Sequence, residues 1–182
     1  MKSKAFTLIE IIIVITIIGI LTAIAILSYR GAYERQQVSV FSKDLLATAQ
    51  HAKAEVKSGK KDEGGLLCEG IYFAKGEVPQ KVSMNYVDVD GVWECNLDKP
   101  DYSDLDQSSK NILAVSIEVG EIAADPVTIL FIPPSGEMKV YPGDLIGDLL
   151  VTFHRENYDD LDFDFGVERG ADRIYVKKHE EN

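Results

Sequence analysis

From Ile11 to Leu27 the chain reads IIIVITIIGILTAIAIL, seventeen positions without a charge, and extending back to Phe6 makes twenty-two, interrupted only by Glu10. A bilayer core of about 30 Å takes about 20 apolar helical residues, so this pattern predicts one membrane span. The next longest apolar stretch, Val127 to Ile132, is strand-sized. The run is also longer than the apolar core of an ordinary secretory signal, and it passes without a small-residue cleavage site into further helical pattern. Val38, Phe41, Leu45, Ala49, Ala52 and Val56 recur at steps of three and four, the stripe of an amphipathic helix. With no proline in between, the two patterns predict one helix from about Thr7 to Lys57, on the order of 75 Å long at ~1.5 Å per residue. The glycine-rich polar stretch Ser58 to Gly65 ends it.

Beyond Leu66 the pattern changes to short β-type runs between turn signals. The predicted strands are Leu67–Ala74, Lys81–Asp88, Gly91–Cys95, Ile112–Val119, Val127–Pro133, Glu137–Tyr141, Leu149–His154, Leu161–Glu168 and Arg173–Lys177. Asp90-Gly91 and Pro134-Ser135-Gly136 read as tight turns. A long helix followed by antiparallel strands is an α+β architecture, the amphipathic half of the helix packing on a small antiparallel sheet.

Charge sharpens this division. The 182 residues carry a net charge of −11. Residues 1–63 hold 9 basic against 6 acidic residues, and residues 64–182 hold 10 against 24. A distal part so acidic excludes a nucleic-acid surface there, since phosphate contacts need clustered Lys and Arg. Two cysteines without a CxxC pair exclude an all-thiolate zinc site and a dithiol redox motif. Lys2 and Lys4 ahead of the span place the N-terminus in the cytoplasm by the positive-inside tendency, with Arg30 and Arg35 beyond it as a counterweight.

Glu10 is the most informative residue. A carboxylate inside a span costs a few kcal/mol or more, so it either reaches back to the headgroups or has a partner. No cation within the span can serve, which leaves another chain or a newly made N-terminal amine. The stretch Lys4-Ala5-Phe6-Thr7-Leu8-Ile9-Glu10, with the apolar run behind it, resembles the N-terminus of type IV pilins and pseudopilins. The resemblance implies that a prepilin peptidase cuts between Ala5 and Phe6 and methylates the new amine. Residues 1–5 are then a leader, 6–57 the long helix with 6–28 as its transmembrane or filament-core part, and 58–182 the β-rich head. It also implies that Glu10 neutralises the N-terminal amine of an adjacent subunit as a filament grows. The implied partners are the peptidase, other pilin-type subunits, an inner-membrane assembly platform and membrane lipid. The implied place is the bacterial cytoplasmic membrane, head outside, and then the filament.

Two positions depart from the family pattern. Ala5 stands where Gly usually precedes the cut, and Leu27 where major pilins often carry Pro, which favours a minor subunit or pseudopilin. The segment Thr128 to Gly136, the run Leu149 to Phe153 and the end Gly170 to Val176 are similar to the heads of H-type minor pseudopilins. The alternative is a single-span membrane-anchored adhesin or receptor that enters no filament.

The remaining candidates carry little chemistry. Cys68 and Cys95 face an oxidising exterior, where a disulfide is permitted. Against it, the expected hairpins put Cys95 opposite Tyr86 and Cys68 opposite about Asp88, nearly two strands apart. A disulfide and two buried thiols both stay open. Asp98, Asp101, Asp104 and Asp106 read as a solvated acidic loop, without the spacing or glycine of a calcium loop. Asp159, Asp160, Asp162 and Asp164 alternate with Leu161, Phe163 and Phe165, an apolar-and-acidic strand read as a charge-protected edge whose acidic side suits a basic partner. His51, His154 and His179 lack metal-ligand spacing, and Trp93 reads as hairpin packing. No nucleophile elbow or phosphate loop is present, so the expectation is a structural subunit, not an enzyme, with no metal and no cofactor.

Overall fold

A computed structural model describes residues 8–62, 65–105, 112–120, 122–142, 147–155, 158–168 and 173–178. Helix α1 runs Leu8–Lys57. The chain divides into two compact units, residues 1–37 and residues 38–182, so α1 contributes to both.

In the second unit α1 ends on glycine. Lys60 N–H reaches the Glu55 carbonyl at 3.1 Å and Gly59 N–H the Val56 carbonyl at 3.1 Å, with Gly59 at φ 75°. This crossed pair of bonds satisfies the last carbonyls and needs the left-handed conformation that glycine adopts without strain.

Twelve strands follow among the described residues, all paired antiparallel in two sheets. The first sheet holds β1 (Lys61–Asp62), β2 (Gly65–Phe73), β3 (Gln80–Val89), β4 (Val92–Cys95), β5 (Asp101–Asp104), β8 (Val127–Ile132) and β9 (Glu137–Tyr141). The second holds β6 (Ile112–Val119), β7 (Ile122–Ala123), β10 (Leu149–Arg155), β11 (Tyr158–Glu168) and β12 (Arg173–Lys178), in the order β12-β11-β10-β6-β7. The fold is α+β as expected, with two sheets in place of one.

The stripe Val38, Phe41, Leu45, Ala49, Ala52 and Val56 is buried and packs against both sheets. Phe41 sets its ring edge-on to Phe153 and Phe163, each at 6.0 Å, and Phe73 lies 6.1 Å from Phe153 and 5.4 Å from Phe165. These five rings join the helix, β2, β10 and β11 in one core, in the tilted and edge-to-face arrangements aromatic pairs favour. A smaller apolar cluster, Cys68, Val82, Met84, Cys95, Leu130 and Ile132, covers the other face of the first sheet.

Three expectations are corrected. Asp101 and Asp104 lie in β5, which pairs with β3 (Gln80↔Asp104 to Ser83↔Asp101), so the acidic segment is partly sheet; Asp106 lies outside the described residues. Strand β11 is no edge, because β10 and β12 flank it. Asp164 on it is 2% exposed and accepts a hydrogen bond from Thr152 Oγ1 at 3.0 Å, with Lys177 Nζ 3.8 Å away. Asp162 and Asp164 thus serve partners on neighbouring strands: His154 Nδ1 is 2.8 Å from Asp162 Oδ1. Third, Cys68 lies opposite Met84, not Asp88, while Cys95 is opposite Tyr86 as expected. The β2–β3 turn closes early, at Gly76 (φ 79°), and Pro79, which has no N–H for a ladder, follows it unpaired.

Candidate functional site

Along Leu8–Ile26 the helix is apolar on every side. The large side chains from Leu8 to Ile26 are 50–77% exposed, and its most apolar window has a mean hydropathy of 3.0 with none of it buried within the chain. A helix apolar all round needs an apolar surrounding, a bilayer or other helices. Its two hydroxyls are already satisfied: Thr16 Oγ1 donates to the Ile12 carbonyl at 2.8 Å and Thr22 Oγ1 to that of Ile18 at 2.7 Å. Bonding back to the preceding turn is how such groups tolerate hydrocarbon.

Glu10 stands in the first turn of α1, exposed, and is the only charged residue between Leu8 and Tyr29. The aligned N–H groups of a helix start favour a carboxylate there. Ala5 and Phe6 lie outside the described residues. The helix continues unbroken through Leu27, where no proline interrupts its hydrogen bonds.

Cys68 and Cys95 are joined, with sulfurs 2.04 Å and Cα atoms 6.0 Å apart. The expected obstacle disappears for a geometric reason. Strand β2 bonds β3 over 80–85 and β4 bonds it over 86–89, so the two pair with successive stretches of β3. Their partners Met84 and Tyr86 lie two residues apart on one face, about 6.7 Å along a strand, within a disulfide's reach.

An ion network that the sequence reading missed fastens the end of α1 to the first sheet. Lys60 Nζ donates to Glu55 Oε1 at 2.8 Å and to Glu69 Oε1 at 2.6 Å. Lys81 Nζ lies 3.2 Å from both Glu55 Oε2 and Glu69 Oε2. Glu69 is 1% exposed, on the strand face shared with Ile71 and Phe73. For Glu55, a hydrogen bond with Glu69 first, and then those with Lys60 and Lys81, hold the carboxyl at about 2 against the opposing effect of burial. Hydrogen bonds to Glu55 and then to Glu69 raise Lys60 above its ordinary value. A lone acid at an inward position of an otherwise apolar strand, LLCEGIYF, is the signal that would have found it.

The other sequence candidates do not converge. His51 lies 3.2 Å from Glu55, His154 pairs with Asp162, and His179 is outside the described residues. Trp93 contacts Tyr86 at 5.5 Å yet is 57% exposed, so it packs the hairpin only in part. A cleft of about 530 Å³ lies beside α1, with Phe41 and Leu45 as its floor and Asp44, His51, Lys81 and Asp104 around it. Among the described residues no three His, Cys, Asp or Glu side chains are placed to hold a metal ion.

Residues 1–26 match the family model of the prokaryotic N-terminal methylation motif. No curated protein and no solved structure matches the chain. Such a motif implies processing by prepilin peptidase and assembly with other subunits of the same kind, on a single-pass membrane anchor. The all-round apolar helix, Glu10 in its first turn and the matched motif together place at the head of this chain the prepilin-type segment of type IV pilins and pseudopilins.

Proposed function

We propose that the protein is a minor pilin or pseudopilin, built into a type IV pilus or a type II secretion pseudopilus through its N-terminal helix. Prepilin peptidase cuts between Ala5 and Phe6 and methylates the Phe6 amine. The helix holds the subunit in the cytoplasmic membrane, N-terminus inside and head outside, until an assembly platform draws it out of the lipid. Apolar contacts with neighbouring helices then replace lipid contacts. Glu10 sets the register by pairing with the amine of an adjacent subunit, because an unpaired carboxylate is costly in a dry filament core. The observation that carries this reading is a single carboxylate, Glu10, in the otherwise apolar stretch of helix that the matched motif covers. Leu27 and the continuous helix there support a minor subunit.

The test is mass spectrometry of the N-terminus, with and without the peptidase, alongside filament incorporation of Glu10→Ala. Expected are a peptidase-dependent methylated Phe6 and a variant that inserts in the membrane normally but enters filaments at least tenfold less. An intact Met1 would instead favour the anchored adhesin or receptor. Normal incorporation of Glu10→Ala would refute the pairing of charges.

A further inference from the structure

We infer that the tip of the β3–β4 hairpin is a docking surface for a different protein, one that presents a basic surface around an apolar recess. Residues 86–89 of β3 pair only with β4 among the described residues, so this end of the hairpin is two-stranded. A two-stranded ribbon is marginal in water, yet this one is anchored by the Cys68–Cys95 bridge and turned by Asp90 and Gly91, both left-handed (φ 54° and 83°). The anchored tip exposes what a hairpin would ordinarily bury. Val89 and Val92 pair on one face, 44% and 63% exposed, Trp93 leans on Tyr86 on the other, and Leu97 follows at 48%. Exposed aromatic and aliphatic side chains held on a rigid element are the composition of an interface centre.

Charge selects the occupant. Around the tip stand Asp88, Asp90, Glu94 and Asp98 against Lys99 alone, while Asp101 and Asp104 pair with the far end of β3. Residues 64–182 carry 24 acidic against 10 basic residues, so the head of a second copy meets this tip with like charge. Anionic lipid and nucleic acid are repelled for the same reason. Strand β4 is only four residues long and carries Glu94, which discourages edge-to-edge pairing between copies. A partner with Lys and Arg around an apolar recess matches both features. This inference goes beyond filament entry and does not depend on it.

The experiment uses the full-length chain in its own cells, with the photoreactive residue p-benzoyl-phenylalanine in place of Val92, irradiation, and sequencing of the adduct. The expected adduct joins position 92 to a net-basic segment of one different protein. Its yield falls at least tenfold in Trp93→Ala and in the charge-reversed pair Asp90→Lys, Glu94→Lys, and is unchanged in the distant control Glu118→Lys. A non-reducing gel showing the Cys68–Cys95 bridge verifies the hairpin in each variant. An adduct with a second copy, with lipid or with a segment that is not basic overturns the proposal. So does the absence of any adduct, or a yield indifferent to both tip variants. Methylation of Phe6, measured in the same cells, separates failure of this surface from failure of the filament reading.

Discussion

Replacing both Cys68 and Cys95 by Ala tests how the hairpin is held. The two cysteines are 27 residues apart in sequence, and closing a loop of that size lowers the entropy of the unfolded chain by an amount worth about 3.5 kcal/mol at 25 °C. The side chains are 0% and 4% exposed within an apolar cluster, so the change also loosens packing there without stranding a polar group. With a urea slope of about 2 kcal/mol/M, the unfolding midpoint should fall by about 1.8 M. The assay is pulse proteolysis of the full chain in a mild detergent across a urea series, with hydrogen exchange read in parallel. Amides of 86–95 should lose protection far more than those of 149–153, because among the described residues β4 pairs only with β3 whereas β10 lies between two strands. Reducing the unsubstituted chain should reproduce both effects. A midpoint shift below about 0.3 M, with hairpin protection unchanged, would refute the reasoning.

Other perturbations probe separate parts of the molecule. In Gly70→Ala a Cβ would run into the backbone of Ile129, 2.8 Å from its carbonyl carbon and 3.0 Å from Leu130 Cα, so β2 and β8 must separate. The expected result is loss of folded protein, seen as protease sensitivity, well beyond the usual cost of a surface change. Phe41→Ala removes the ring joining α1 to Phe153 and Phe163 and should cost about 3–5 kcal/mol by urea unfolding. Glu55 is held at about 2, below its ordinary 4.5, so its stabilising effect is complete above about pH 4.5 and is lost as the pH falls toward 2. Glu55→Gln should therefore cost about 1–2 kcal/mol at pH 7, allowing for water access, and flatten the acid limb of the stability profile. Identical acid limbs in the two proteins would show that the network contributes nothing.

Much of the architecture was legible because it repeats locally. The step of three and four from Val38 to Val56 names the buried face of α1 residue by residue, and that face is the core. Alternation bounded by Asp90-Gly91 and Pro134-Ser135-Gly136 located the main strands to within three residues at each end. The strand β5, DYSD, escaped because its one aromatic among polar residues has no apolar alternation, and its order comes from pairing with β3. The two-residue strands β1 and β7 carry too few positions for any period.

The N-terminal segment is where sequence alone determines the most. Its apolar run is read from composition and the matched motif from short spacing, and a helix needs no distant partner to satisfy its own backbone. What only tertiary structure decided depends on register. A shift of the β2–β3 turn moved the partner of Cys68 from Asp88 to Met84, bringing it within 6.0 Å of Cys95. Strand order placed β11 between two neighbours and set Asp162 and Asp164 beside Thr152, His154 and Lys177. The packing of α1 on the first sheet gathered Glu55, Lys60, Glu69 and Lys81 from four separate positions of the chain. Local periodicity states which side of an element faces inward. Which element lies opposite is set by long-range pairing, and a one-residue slip there exchanges every contact.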